Sequence, residues 1–246
     1  MLGLPPEVIA CLFDLDGVLT RTATVHAEAW KATFDRFLLA RSGERGEPYV
    51  PFTQGDYDAY VDGRMRLDGT RTFLRSRGIE LPEGDLSDPP DAPTVHGLSN
   101  GKNGRVLALL SAGKVQVYQG SVRYVRACRE AGLRTAVVSA SANTREVLES
   151  AGLAELFAAR VDGVTAREQG LAGKPAPDTY LAGARALGAS PAQAAVFEDA
   201  LAGVEAGRAG GFALVVGVDR VGQAGQLRAR GADVVVRDLS ELLERG

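Results

Sequence analysis

Apolar residues in this chain gather in short, nearly continuous runs rather than alternating with polar ones. The runs are Val8–Phe13, Thr135–Val138, Ala195–Phe197, Ala213–Val218 and Val234–Val236. A strand with one wet face alternates, whereas a strand buried on both faces does not, so these runs predict a parallel sheet covered by helices on both sides. Between them the spacing turns helical over Val122–Ala131, Thr144–Ala151, Pro177–Leu187 and Leu201–Ala209. Gly132, Gly152, Gly188 and Gly210 follow these segments, where glycine commonly ends a helix. Strand and helix in alternation predict a doubly wound α/β core.

That rhythm is missing between residues 22 and 113. Helical spacing is present at His26–Leu39, Gly69–Arg77 and Lys102–Ser111, but no buried strand is evident. Two breaker-rich stretches, Arg41–Gln54 and Leu81–Gly101 with Pro82, Pro89, Pro90 and Pro93, read as loops. Unstructured loops of that length are uncommon inside a compact domain. The expectation is therefore a helical domain, 22–113, inserted into a core made of 1–21 and 114–246. The length of 246 residues, against roughly 150 per domain, suits two unequal domains.

Composition narrows the partners. With 28 basic and 31 acidic residues the formal net charge is −3, so no global basic excess exists to attract nucleic acid or an anionic membrane surface. No run reaches the ~20 apolar residues of a membrane span, and Val8–Phe13 lacks the basic leader of a signal peptide. A cytoplasmic protein, monomeric, is expected. Cys11 and Cys128 are distant in sequence and only two histidines occur, which argues against zinc and for small buried thiols.

Ligands of open parallel sheets bind beyond the carboxyl ends of the strands, and here those ends carry the chemistry. The first run leads into Asp14-Leu-Asp16-Gly17, where alternation along extended chain puts both carboxylates on one side and Gly17 permits a sharp turn. The second ends at Ser139, followed by Ser141 and Asn143; the third ends in Glu198-Asp199; Lys174 lies in a Gly-Lys-Pro-Ala-Pro turn. Carboxylates crowded together either take up protons or hold a cation, and an oxygen-only set without histidine or thiolate suits Mg²⁺. A carboxylate nucleophile, a metal and a fixed lysine together describe phosphoryl transfer through an aspartyl-phosphate, with Ser139 and Lys174 facing phosphoryl oxygens.

Taken in order, Phe13-Asp-Leu-Asp-Gly-Val-Leu-Thr20, Ser139-Ala-Ser-Ala-Asn143, Gly173-Lys-Pro-Ala-Pro-Asp178 and Phe197-Glu-Asp-Ala-Leu-Ala-Gly203 resemble the haloacid dehalogenase (HAD) superfamily, and within it the β-phosphoglucomutase-like group. The resemblance spans nearly the whole chain. It implies a Rossmann-like α/β core with an inserted α-helical cap domain, Asp14 as nucleophile and Asp16 as general acid/base. It also implies Mg²⁺ held by Asp14, the Asp16 backbone carbonyl and Asp199, with Glu198 supporting the site, so that the metal set is Asp14, Asp16, Glu198 and Asp199. In the cap, it implies that His26 couples closure to the acid/base residue, that Arg66 anchors a second phosphate, and that Lys102 and Asn103 contact substrate. On their own, His26 reads as a solvent-facing helix residue, Arg64, Arg66 and Lys102 as a charged face, Asn103 as a helix cap, and Trp30, Phe34 and Phe37 as core.

One position departs from the group: Ala142 stands where sugar mutases carry a lysine, so a phosphate-binding charge is missing or comes from Arg21, Arg64 or Arg145. The function implied is a Mg²⁺-dependent phosphomutase on a hexose phosphate, interconverting β-glucose 1-phosphate and glucose 6-phosphate with a bisphosphate primer. Ser141 and Asn143 would help Arg66 hold the second phosphate. The enzymatic alternative is a phosphatase acting on small sugar phosphates. A phosphoacceptor signalling domain shares strand-end carboxylates, Mg²⁺, a hydroxyl and a lysine, but lacks a helical insertion after the first strand.

Overall fold

The structure is a computed structural model that describes residues 2–113 and 115–244. The segment limits expected at 1, 114 and 246 fall on residues outside the described ones. Among the described residues one six-stranded sheet forms, with every pairing parallel. In chain order the elements are β1 (Ala10–Phe13), α1 (Thr22–Arg45), α2 (Gln54–Tyr60), α3 (Arg66–Ser76), α4 (Val95–Ala112), α5 (Gln119–Glu130), β2 (Arg134–Val138) and α6 (Thr144–Ser150). They continue with β3 (Ala159–Val161), α7 (Gly163–Glu168), α8 (Asp178–Ala186), β4 (Ala194–Glu198), α9 (Leu201–Ala209), β5 (Leu214–Val218), α10 (Ala224–Ala229) and β6 (Val234–Val236). This is the expected α/β fold.

The strand order is β3-β2-β1-β4-β5-β6, so the winding reverses at β1. Register places Phe13 opposite both Val137 and Phe197, which brings Asp14, Glu198 and, two positions past Val137, Ser139 to one end of three adjacent strands. β1, β4 and β5 are buried at every position, the two-sided burial that unbroken apolar runs foretell. Leu12, Val138, Tyr180, Val196, Val204 and Val215 are among the residues of the core beneath them. Cys11 and Cys128 are buried, with sulfurs 4.0 Å apart, so residues distant in sequence are neighbours in the fold.

Two compact units are distinguished by their internal contacts: Met1–Arg21, Gly63–Met65 and Val115–Gly246 form one, Thr22–Asp62 and Arg66–Lys114 the other. The short segment Gly63–Met65 thus groups with the sheet unit, inside the span expected to be wholly helical domain. The helical unit has its own core, in which Trp30 stacks on Phe34 at 4.9 Å and Phe34, Phe52 and Phe73 meet within 5.1 Å of one another.

Several local expectations need correction. α1 runs to Arg45, beyond the expected start of a loop at Arg41, and α2 lies in a region with no predicted element. Thr53 starts α2 by a reciprocal cap: its hydroxyl accepts from the Asp56 backbone N–H while Asp56 accepts from the Thr53 N–H. α4 begins at Val95, inside the stretch expected as loop up to Gly101, because Thr94 caps it by accepting from Gly97 N–H at 2.9 Å. Gly97 and Gly101 persist in that helix because a Cβ on either would lie 2.5 Å from the Ala92 carbonyl or the Asp91 carboxylate. β3 escaped prediction since three residues with Arg160 at their centre carry almost no apolar signal. At the end of α9 the left-handed residue is Gly211 rather than Gly210.

Candidate active site

The carboxyl end of β1 supplies Asp14, whose backbone N–H donates to the Phe197 carbonyl at 3.0 Å, tying it to the end of β4. Lys174 crosses beneath. Its ammonium donates to Asp14 Oδ1 at 2.6 Å, to Glu198 Oε1 at 2.5 Å and to the Val138 carbonyl at 3.2 Å. It also stands 4.8 Å over the ring of Tyr180. All three ionic residues are buried, at 5% exposure or less. Burial by itself disfavours the lysine's charge, but the flanking Asp14 and Glu198 outweigh it and raise the Lys174 pKa, so it stays protonated. Burial raises the Asp14 pKa well above the usual carboxylate range; Lys174 opposes that and the neighbouring Glu198 and Asp16 reinforce it.

Glu198 is fully engaged. Tyr180 donates its hydroxyl to Oε1 at 3.2 Å, and the Ala200 backbone N–H donates to Oε2 at 2.8 Å. Gly203, one turn into α9, makes room for it: a Cβ there would sit 1.8 Å from Glu198 Oε1. Sequence reasoning missed Tyr180 and the role of Gly203, although both lie inside or beside the quoted motifs. An aromatic residue in a helix gives no hint that its hydroxyl meets a carboxylate.

Asp14, Glu198 and Asp199 each offer an oxygen within 4.8 Å of the others, close enough together to hold a metal ion. Gly17, at φ +94°, allows this closeness, since a Cβ there would lie 1.8 Å from Asp199 Oδ2. The donors are all oxygen and all buried, which fits a hard divalent cation such as Mg²⁺. Both Glu198 oxygens already accept hydrogen bonds, which limits their availability to a cation. The Asp16 carboxylate lies outside this group; its Oδ2 is 3.5 Å from the Ser139 hydroxyl.

Ser139 is buried at the end of β2, and its Oγ accepts from the Ser141 N–H at 3.1 Å. Ser141 Oγ in turn accepts from Asn143 N–H at 3.2 Å, just before α6. These nested turns brace the loop that carries Ser139 and Ser141. The remaining predicted residues, His26, Arg66, Lys102 and Asn103, belong to the helical unit. There the structure joins two of them: Lys102 Nζ lies 2.8 Å from His26 Nδ1 and 5.0 Å from the Trp30 ring centroid, and Lys102 is buried. Arg66 opens α3, and Asn103 sits inside α4 rather than at its cap.

The family model for haloacid dehalogenase-like hydrolases matches residues 9–211. The β-phosphoglucomutase of Mycobacterium tuberculosis is 58% identical over 99% of this chain and 94% of its own length. Fructose-1-phosphate phosphatase YqaB of Escherichia coli is 30% identical over 82% of this chain and 92% of its own. Among solved structures, a β-phosphoglucomutase from Clostridium difficile superposes with a TM-score of 0.74 at 22% identity, covering 96% of this chain and 93% of that one. No helix among the described residues is long and apolar enough to cross a membrane. With strand-end acids bridged by a buried lysine, and with this span of similarity, the chain belongs to the haloacid dehalogenase-like hydrolases and is an enzyme of that superfamily, a mutase or a phosphatase.

Proposed function

We propose that this enzyme is a Mg²⁺-dependent phosphomutase that interconverts β-glucose 1-phosphate and glucose 6-phosphate through an aspartyl-phosphate on Asp14. The observation that carries the reading is the 58% identity to a β-phosphoglucomutase across 99% of the chain. Phosphorylated Asp14 gives its phosphoryl group to the sugar 6-hydroxyl while Asp16 takes the hydroxyl proton, leaving a glucose bisphosphate. The bisphosphate turns round, the Asp14 carboxylate attacks the phosphorus at C1, and Asp16 returns the proton to the departing sugar oxygen. Lys174 and Ser139 donate to phosphoryl oxygens as charge moves between the attacking and leaving groups.

Asp14, Asp199 and the Asp16 carbonyl would hold Mg²⁺, with Glu198 keeping Lys174 in place. Once bound, the cation supplies positive charge against the transferring phosphoryl group. In the helical unit, Arg66 is assigned to the phosphate that is not being transferred, assisted by Ser141 and Asn143, while His26, Lys102 and Asn103 meet the sugar. The phosphatase reading keeps every core role and ends instead with water attacking the aspartyl-phosphate. Ala142, where mutases carry a lysine, and the similarity to a fructose-1-phosphate phosphatase favour it.

The test uses β-glucose 1-phosphate, Mg²⁺ and a glucose bisphosphate primer, with acid quenching and peptide mapping. A phosphoryl group on the peptide that carries Asp14 is expected, and Asp14→Asn should lower turnover by about 10⁴-fold or more, as loss of a covalent nucleophile does. Undiminished turnover by Asp14→Asn contradicts the assignment.

A further inference from the structure

The loop after β5 carries no residue assigned to the chemistry, yet its two long polar side chains both end on the acidic turns. Arg220 Nε donates to the Gly17 carbonyl at 2.8 Å and its Nη2 to the Val18 carbonyl at 3.4 Å. The same guanidinium donates to the Arg237 carbonyl at 2.6 Å, the Asp238 carboxylate at 3.5 Å and Ser121 Oγ at 3.3 Å, and it stacks 3.6 Å over the Tyr118 ring. Three positions further on, Gln223 Nε2 donates to the Asp199 backbone carbonyl at 3.0 Å. The loop is itself braced: Asp219 Oδ1 accepts from the N–H groups of Gly222 and Gln223 at 2.7 and 2.8 Å.

We infer that Arg220 and Gln223 are positioning residues for the acidic centre, holding the Asp14–Gly17 turn and the Glu198–Asp199 turn at the separation that a divalent cation requires. This rests on the phosphoryl-transfer reading and extends it to residues outside the motifs. Lys174 brings one positive charge to three buried carboxylates whose oxygens lie within 4.8 Å of one another, and the repulsion left over favours turns that drift apart. Strands β1 and β4 fix the turns at their roots, and the bond from Gly17 N–H to the Thr20 carbonyl at 2.7 Å closes the first turn on itself without tying it to the second. Arg220 grips the first turn at Gly17, the residue whose Cβ position falls 1.8 Å from Asp199 Oδ2, and Gln223 grips the second at Asp199 itself. A small shift at either carbonyl therefore alters how Asp199 stands against Asp14.

Arg220 also lies where an arginine invites assignment as a phosphate ligand. Its contacts argue otherwise, because a guanidinium has five N–H donors and the five bonds above engage them all. Lysine at this place keeps the charge but not the planar fork that spans these acceptors.

The test is Mn²⁺ binding to the full-length protein without substrate, followed by electron paramagnetic resonance of the free ion, for wild type, Arg220→Lys and Gln223→Ala. Both variants should bind Mn²⁺ about 10- to 100-fold more weakly, as loss of groups supporting metal ligands does. With Mg²⁺ and β-glucose 1-phosphate, kcat should fall while KM stays put. Wild-type Mn²⁺ affinity in the folded variants overturns the inference, and so does a raised KM at unchanged kcat, which makes Arg220 a substrate ligand. Thermal melts in EDTA establish folding; if Arg220→Lys melts below the assay temperature, Gln223→Ala, which loses a single hydrogen bond, decides alone. Wild type that binds Mn²⁺ but does not isomerise the sugar phosphate defeats the proposed reaction and leaves this inference standing.

Discussion

At the scale of single residues, the site turns on one lysine shared by two buried carboxylates. Lys174 neutralises charge that Asp14 and Glu198 could not otherwise carry in a region from which water is excluded, and the carbonyl of Val138 completes its donors. Replacing Lys174 with Met keeps the volume and removes the charge. Breaking a buried ionic cluster in this way costs about 3–5 kcal/mol, so Lys174→Met should melt well below wild type in EDTA and lose turnover. A melting curve that matches wild type contradicts the ionic account. Asp14 and Glu198 were legible from strand-end positions, and Lys174 from the Gly-Lys-Pro-Ala-Pro turn that carries it. Their division of labour was not: nothing in Phe197-Glu-Asp reveals that Glu198 spends both oxygens on Lys174, Tyr180 and Ala200, whereas register and burial reveal it at once. For the same reason Cys11 and Cys128, unremarkable in sequence, turn out to be adjacent, and that contact together with burial pushes the Cys11 thiol pKa up.

At the scale of elements, the sheet was readable because burial on both faces leaves a plain signature, and β1, β2, β4, β5 and β6 fall within a few residues of the apolar runs. The helical unit was harder, because caps and packing decide its helices more than periodicity does. α2 has seven residues and depends on the Thr53–Asp56 cap, and Arg77 donates to the same Asp56 carboxylate at 2.8 Å. Partial burial would raise the Asp56 pKa, but the Thr53 hydroxyl and N–H and the Arg77 guanidinium outweigh it and hold it below the usual value. A depressed folded pKa adds stability above the unfolded value of about 3.9 and loses it as pH falls through the folded one. Wild type should therefore lose more stability than Asp56→Asn between about pH 5 and pH 3, while at pH 7 the variant is less stable by about 1 kcal/mol, the usual worth of a cap. Urea melts across that range check both signs. Parallel curves for the two proteins contradict the role given to Asp56.

At the scale of the whole molecule, an open sheet wound both ways from β1 delivers three strand ends to one place, and a second compact unit begins at Thr22, after the acidic turn that follows β1. The proposed reaction class rests on the first unit, since the roles proposed for its acids, lysine and hydroxyl do not depend on the sugar. The substrate is less legible, because most of the residues proposed to read it lie in the helical unit and one charge expected of a sugar mutase is absent at Ala142. In the proposed scheme mutase and phosphatase share Asp14, Asp16, Ser139 and Lys174; they differ in whether the phosphoryl group assigned to Asp14 returns to a sugar hydroxyl or passes to water. That fate is directly visible by phosphorus NMR. Purified enzyme with Mg²⁺, a trace of glucose bisphosphate and either anomer of glucose 1-phosphate should convert the β anomer to glucose 6-phosphate, leave the α anomer untouched and release little inorganic phosphate. Inorganic phosphate as the main product, with no glucose 6-phosphate formed, would contradict the mutase account.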